Sequence, residues 1–580
     1  MGDRGVSIDR SKRQALEKMI GIGAAWTAAD LLLPPNTAAA QNAPAHVGGH
    51  ANVYNVRVFG ATGDGKTLDT LAINKAVEAA AAAGGGTVLV PAGTYLCFSI
   101  RLKSNVALYL DQGSTILGAT PPEGGGPGYD PPEPGPGNHY EDFGHRHWHN
   151  ALIWGVGLEN VSILGPGLIY GKGLLRGTGI GMHPMGTTLY PMKYPMGRPP
   201  HPLRRVPVAG QGDKCIALKN CHNVILRDFS ILHGGHFGIL ATGVDNMTID
   251  NLLIDTERDG MDLDCCWNTR VTNCTVNDPY DDGICPKSSD ALGYSRPTKN
   301  LTISNCFVTG GYEVGSVYDG TWKLFPPTAG GMYHGHYFHV PRNGRFKCGT
   351  ESFGGFKNIT VTNCVFEHSM GLALETVDGA HLEDVSISNV TMRDVGVAPI
   401  FLRLGSRMSA PPYQRHSPPS TPVGKLRRVN ISNLVVSNTA GRYASILSGI
   451  PGHEIEDVRL SGIYILHQGG GTKEEAAIVL REKADGYPEP TMFGTTPSYG
   501  FFLRHIKGLE MSEIEIKYEK EDQRPPFILD DVKGADFFHI SAQHAPGVPV
   551  FELNNVEDFT VHFSKSVPDT TLEKVTTRTL

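Results

Sequence analysis

Asn268-Thr269-Arg270-Val271-Thr272-Asn273-Cys274, Asn300-Leu301-Thr302-Ile303-Ser304-Asn305-Cys306 and Asn358-Ile359-Thr360-Val361-Thr362-Asn363-Cys364 are three copies of one phrase. Apolar residues alternate with Thr or Ser in each, the pattern of a short strand with one buried face. Related copies begin at Asn223, Asn246, Asp384 and Arg428, and weaker ones near Asn105, Asn160, Asp457, Asp536 and Asp558. The closest neighbours are 22 to 26 residues apart, as from 246 to 268 and from 358 to 384. One strand per coil, repeated at least ten times, marks a solenoid. The β-branched content and two-residue period exclude a helical solenoid and predict an all-β parallel β-helix.

The register inside the phrase sharpens that expectation. Asn251, Asn273, Asn305, Asn363, Asn389 and Asn433 hold one position, and stacked coils would bring them into an amide ladder at about 4.8 Å spacing. The next position holds Leu252, Cys274, Cys306, Cys364, Val390 and Leu434. An apolar column of this kind makes the cysteines core thiols rather than metal ligands. Thr67 to Ala83 reads as an amphipathic helix ended by Gly84-Gly85-Gly86, suited to capping the open end of the solenoid. Insertions near 121–138, 179–212 and 319–343 break the rhythm and are candidates to wall a cleft.

Composition agrees with many turns and few surface helices. There are 71 Gly and 40 Pro among 580 residues, against the roughly 41 and 29 that average usage supplies. A net charge of −7 gives no global attraction to phosphate, so nucleic acid is not an expected partner. Residues 1–40 read as an export signal, with Arg10, Lys12, Arg13 and Lys18 ahead of a mostly apolar stretch and Ala38-Ala39-Ala40 at its end. Ser11-Lys12-Arg13-Gln14-Ala15-Leu16 resembles a twin-arginine signal with Lys in the first place. The protein is therefore expected to be exported, periplasmic or extracellular, with no membrane span. Residues 41–580 are read as one β-helix domain.

The chemistry is expected where carboxylates recur one coil apart. Asp259-Gly260-Met261-Asp262-Leu263-Asp264 is followed by Asp278-Pro279-Tyr280-Asp281-Asp282, and Asp259 and Asp281 are 22 residues apart. Such carboxylates meet on neighbouring coils and cannot all ionise together, which sets a protonated acid beside an ionised base. A calcium site or a solvated acidic ladder is the competing reading of the spacing alone.

Arg258-Asp259-Gly260-Met261-Asp262 and Asp281-Asp282-Gly283-Ile284-Cys285-Pro286-Lys287-Ser288 resemble the NTDG and DDxxxxKS motifs of glycoside hydrolase family 28, the polygalacturonases and rhamnogalacturonases. The opening Asn55-Val56-Arg57-Val58-Phe59-Gly60-Ala61-Thr62-Gly63-Asp64-Gly65 is similar to the start of pectin-degrading β-helix enzymes. The resemblance runs over roughly residues 52 to 450. It implies a right-handed helix and cofactor-free, inverting hydrolysis of a pectic polysaccharide, with Asp281 as general acid, Asp259 and Asp282 as bases, and Lys287 near the substrate. The family's Gly-His-Gly is not cleanly present, leaving His336 as its candidate replacement. The family's Arg-x-Lys aligns with Ala373-Leu374-Glu375, which would repel a uronate. Glu351 and Glu375 are then candidates to bind the hydroxyls of a neutral sugar, with Arg345, Lys347 and Arg403 as alternative cationic contacts. The substrate expectation is rhamnogalacturonan or another galacturonate-containing chain. A β-helix polysaccharide lyase and a non-catalytic carbohydrate-binding β-helix are the alternatives.

Overall fold

The computed structural model describes residues 52–122, 126–133, 145–175, 210–325, 331–333, 336–338, 343–407 and 422–580. The expected export signal lies outside them, as do most of the 179–212 insertion and the centre of the 319–343 insertion. Among the described residues no helix is long and apolar enough to cross a membrane.

Strands stack in parallel columns, each pairing with its equivalent one coil away. One column runs Lys214–Lys219, Phe237–Thr242, Met261–Asp264, Ile284–Lys287, Phe346–Cys348, Leu372–Thr376 and Ile400–Leu404. The repeated phrase forms a second column, through Asp245–Asp250, Trp267–Thr272 and Thr298–Ser304. A third comprises Ser230–Leu232, Leu253–Asp255, Thr275–Asn277 and Phe307–Thr309. Beyond residue 356 the second and third strands run on as one, as in His381–Arg393 and Lys425–Thr439.

The asparagine register explains how one chain turns between two strands. Asn251, Asn273, Asn305, Asn363, Asn389 and Asn433 all have φ between 54° and 58°, the left-handed conformation that Asn tolerates better than other side chains. Their amides stack as expected: Asn305 Nδ2 donates to Asn273 Oδ1 (3.4 Å), and Asn433 Nδ2 to Asn389 Oδ1 (3.2 Å). The Asn that opens each phrase does the same, Asn246 donating to Asn223 (2.7 Å) and Asn358 to Asn300 (2.9 Å). Each strand therefore begins and ends on a turn tied to the coil below.

Inward positions fill the core. Cys274, Cys306 and Cys364 are buried beside Leu252, Val390 and Leu434, and all ten cysteines are free thiols inside the protein. Burying an aliphatic side chain contributes about 1.5–3 kcal/mol, and each coil buries several. Toward the C-terminus Phe501, Phe527 and Phe551 stack in register, with centroids 5.7 and 4.8 Å apart. The N-terminal helix spans Thr70–Ala82 and buries Ile73, Ala76, Val77 and Ala80. It starts later than the sequence pattern predicts because Asp64–Leu68 pairs as a strand with Gly93–Cys97. Asp69 turns its carboxylate back to the backbone N–H groups of Thr62 (2.7 Å) and Gly63 (3.0 Å). At the far end Thr570–Thr579 closes the stack antiparallel to Phe551–His562. One insertion that the repeat rhythm passes over, residues 470–500, leaves after Ile455–Gly469 and returns at Phe501.

Candidate active site

The site forms at the corner that enters the first strand column. Gly238, Gly260 and Gly283 stack there, and a Cβ on Gly260 would stand 2.5 Å from the Gly283 carbonyl oxygen. Only glycine lets the coils approach this closely. Gly260 N–H donates to Asp282 O at 3.0 Å, fixing Asp259 and Asp282 on adjacent coils.

Asp259, Asp281 and Asp282 converge, each with a carboxyl oxygen within 4.8 Å of the others. They are 4%, 5% and 1% exposed, so protein contacts rather than bulk water set their charge states. The Asp282 backbone N–H points at Asp281 Oδ1 (3.1 Å) and Asp259 Oδ1 (3.4 Å), drawing those two carboxyls together. Arg258 grips Asp281 Oδ2 with Nε (2.9 Å) and Nη2.

Two different environments divide the proton affinities. Burial and the neighbouring Asp262 and Asp281 push Asp259 well above the usual carboxylate range. Burial acts the same way on Asp282, but Arg345, Lys347 and Lys287 outweigh it and hold that carboxyl well below the usual range. Arg345 Nε lies 2.7 Å from Asp282 Oδ1, and Lys347 Nζ lies 3.2 Å from Oδ2. The corner therefore holds an ionised Asp282 beside an Asp259 that keeps its proton, which sets Asp259 on the acid side where the resemblance implied a base.

Outward residues of the strand column form the floor. Lys287 Nζ is 3.7 Å from Asp262 Oδ2. His145 bridges Asp262 (2.8 Å) and Glu351 (3.1 Å), and although burial disfavours its charge, Glu351 and Asp262 raise it to about 9. Asp264 is buried and accepts from Ser289 N (2.7 Å) and Oγ (2.6 Å), which ties down the strand end. On the other side Glu489 accepts from Arg345 Nη2 (2.5 Å) and faces Lys347 Nζ (3.3 Å). Burial raises Glu489, but Arg345 and Lys347 overcome this and hold it below its ordinary range. Tyr487 Oη meets Thr350 Oγ1 at 3.0 Å.

Lys287, Glu351 and Glu375 thus lie around the three aspartates. Arg403 is one coil beyond Glu375 in register, but its guanidinium donates to Ser448 Oγ (2.7 Å), Gly449 O (2.9 Å), and the carbonyls of Glu482 (3.0 Å) and Lys483 (2.9 Å). It anchors the 470–500 insertion. His336 falls in the strand His336–Phe338, and its side chain is outside the described residues. The sequence reading missed His145, Glu489 and Tyr487, which arrive on segments without the repeat period. Arg345-Phe346-Lys347 supplies the cation pair one coil earlier than the motif alignment placed it. A ready signal was its i, i+2 spacing, which puts both cations on one strand face.

Glu375 is fully buried, and neither carboxyl oxygen has a hydrogen-bond partner among the described residues. Burial, against Lys347 and with Glu489 adding to it, raises it from an ordinary 4.5 to about 8. A raised carboxyl keeps its proton in the folded protein where the unfolded chain has lost it. Its stabilising contribution is complete below about pH 4.5 and is lost as pH rises through about 8. Thermal melts of wild type and Glu375→Gln should therefore diverge over this window. Wild type should carry an extra stability loss of up to about 1.4 kcal/mol per pH unit; parallel curves would refute the buried proton.

The carboxyl cluster has the donors to ligate a cation, but Arg258, Arg345 and Lys347 already contact it, so a metal would have to displace them.

A family model described as rhamnogalacturonase A/epimerase, pectate lyase-like matches residues 53–121, and one described as right handed beta helix region matches 208–324. A probable polygalacturonase of Vitis vinifera is 24% identical over 460 residues, covering 76% of this chain and 80% of that protein. Alginate lyase 7 of Azotobacter vinelandii is 50% identical over 66 residues, but the chain spans only 8% of that relative's length. Among solved structures, a family 28 exopolygalacturonase of Yersinia enterocolitica is 19% identical with a TM-score of 0.58, covering 84% of this chain and 78% of that one. An exopolygalacturonase of Thermotoga maritima is 18% identical with a TM-score of 0.55, covering 80% of this chain and 92% of that one. The fold is that of these right-handed β-helices, and the chain resembles glycoside hydrolase family 28, the polygalacturonases and rhamnogalacturonases.

Proposed function

We propose that the protein is a glycoside hydrolase acting on a galacturonate-containing pectic chain, either rhamnogalacturonan or a related polymer. One observation carries this reading: three buried carboxyls converge at one corner, where Asp282 is held ionised and Asp259 keeps its proton. Glycoside hydrolysis needs that division, an acid for the leaving oxygen and a base for water. Asp282 is the base, kept anionic by Arg345 and Lys347. By the resemblance Asp281 is the acid at the glycosidic oxygen, and Asp259, with a carboxyl oxygen within 4.8 Å of it, holds the proton that supplies it. Arg258 must let go of Asp281 as substrate enters.

Inversion rests on the resemblance. An inverting pair stands about 6.5–9.5 Å apart to seat a water, whereas the nearest oxygens here lie within 4.8 Å. The lyase reading needs a neutral Lys or Arg to abstract a proton. Burial opposes charge on Lys287 and Lys347, yet neighbouring carboxylates hold both well above the ordinary range, which makes them poor bases. The 1–40 segment supports an exported protein.

The test is a panel of pectic oligosaccharides, with products read by size and the first-formed anomer read by proton NMR. Hydrolysis with an inverted anomer is expected. Retention would overturn the stereochemistry, unsaturated uronate products would establish a lyase, and binding without turnover of any substrate would leave a carbohydrate-binding protein.

A further inference from the structure

We propose that Glu489 sets the sugar specificity of this site: it occupies Arg345 and Lys347 from inside the protein, so that the substrate unit lying against this wall is a neutral sugar. The inference rests on the pectic-chain reading above. Its first support is a balance of charge. The wall holds two cations, Arg345 and Lys347, and two ionised carboxylates, Asp282 and Glu489, in mutual contact. All four are buried. Within this quartet the cations are matched one for one, so the wall offers a uronate no net positive charge. Bringing a third carboxylate into this enclosure costs desolvation with no counter-ion to offset it.

The second support is Glu375, which points at an unmet partner. It is fully buried, lies two residue positions from Ala373 on the strand that stacks beyond Arg345-Phe346-Lys347, and leaves both carboxyl oxygens without a hydrogen bond among the described residues. Gly349 keeps the space beside it open, since a Cβ there would stand 3.0 Å from Glu375 Oε2. A carboxyl that holds its proton up to about pH 8 presents one donor and one acceptor. Sugar hydroxyls satisfy both, and a buried polar group left unmet costs more than a met one gains. Glu489 itself is delivered by the 470–500 insertion, which Arg403 and Arg504 pin through the carbonyls of Glu482, Lys483 and Leu480.

The experiment measures recognition apart from turnover. Asp281→Asn protein is titrated calorimetrically with two hexasaccharides, homogalacturonate and the alternating rhamnose–galacturonate chain. Homogalacturonate sets a uronate against the wall in every register, and the alternating chain can set a neutral rhamnose there. The expected result is at least tenfold tighter binding of the alternating chain. Adding Glu489→Gln should close that gap about tenfold by freeing a cation, and Glu489→Asp, which keeps the charge, should preserve it. Melting curves confirm that each variant is folded, and if Glu489→Gln is not, Arg345→Lys, which keeps the charge balance, and Glu489→Ala, which breaks it, replace the pair: the ratio should hold in the first and close in the second. Equal or tighter homogalacturonate binding, or a ratio unmoved by Glu489→Gln, overturns the proposal. The expected ratio with no hydrolysis by wild type would sink the hydrolase reading alone. Hydrolysis with an unmoved ratio would sink the role of Glu489 alone, and no binding of either chain overturns both.

Discussion

Asp282→Asn is expected to lower hydrolysis of a pectic substrate by about 10²–10⁴-fold, the range for removing a general base. Asp282 lies between two buried cations: Arg345 is on one oxygen at 2.7 Å and Lys347 on the other at 3.2 Å. An asparagine keeps the shape but cannot take a proton from water. The pH profile supplies a check that a purely structural defect would not meet. Asp282 is ionised down to unusually acid pH, and Asp259 stays protonated to unusually high pH. Wild-type kcat/KM should therefore hold a broad plateau across the mildly acid and neutral range. Asp259→Asn should pull the alkaline limb inward, because it removes the group that stores the proton. A narrow optimum near the ordinary carboxylate range, or an Asp282→Asn protein with unreduced turnover, would refute this division of roles.

How much of this was legible in the chain depends on whether a residue belongs to the repeat. Asn273, Asn305 and Asn363 occupy identical positions in identical phrases, and coil stacking turns sequence register directly into spatial register. The same logic brought Asp259 and Asp281 together from a 22-residue separation. Asp262 and Arg258 could be quoted as parts of the motif, yet their partners, His145 for the first and Asp281 for the second, follow only from side-chain direction. His145 comes from 117 residues upstream of Asp262, and Glu489 from 144 residues beyond Arg345. No period connects them, because an insertion leaves the coil at one turn and its path is set by tertiary packing. The stretch Tyr487-Pro488-Glu489-Pro490 carries local information of another kind, since proline on each side of the glutamate stiffens the backbone that presents it. The helix start moved from Thr67 to Thr70 for the same reason that short elements often do: strand pairing of Asp64–Leu68 outweighed local helix propensity.

Arg345→Met should produce the largest loss of stability. Arg345 is fully buried between Asp282 and Glu489, two ionised carboxylates on separate segments of the chain. Methionine fills much of the same volume but leaves those charges with Lys347 alone. Removing one partner from a buried ionic network costs about 3–5 kcal/mol, because the remaining charges stay desolvated. Two signatures separate this cause from simple loss of packing. Both carboxylates have depressed proton affinities in the wild type, so the Arg345 contribution is present above the ordinary carboxylate range and is lost as pH falls through their lowered values. The gap between wild-type and Arg345→Met melting temperatures should accordingly narrow from pH 7 toward pH 4, because without Arg345 the carboxylates titrate nearer their ordinary values and protonation relieves the variant first. The double variant Arg345→Met/Glu489→Gln should then recover part of the loss at pH 7, since it withdraws one of the stranded charges. A gap that does not change with pH, together with strict additivity in the double variant, would show that Arg345 acts by packing and that charge does not hold the insertion against the catalytic corner.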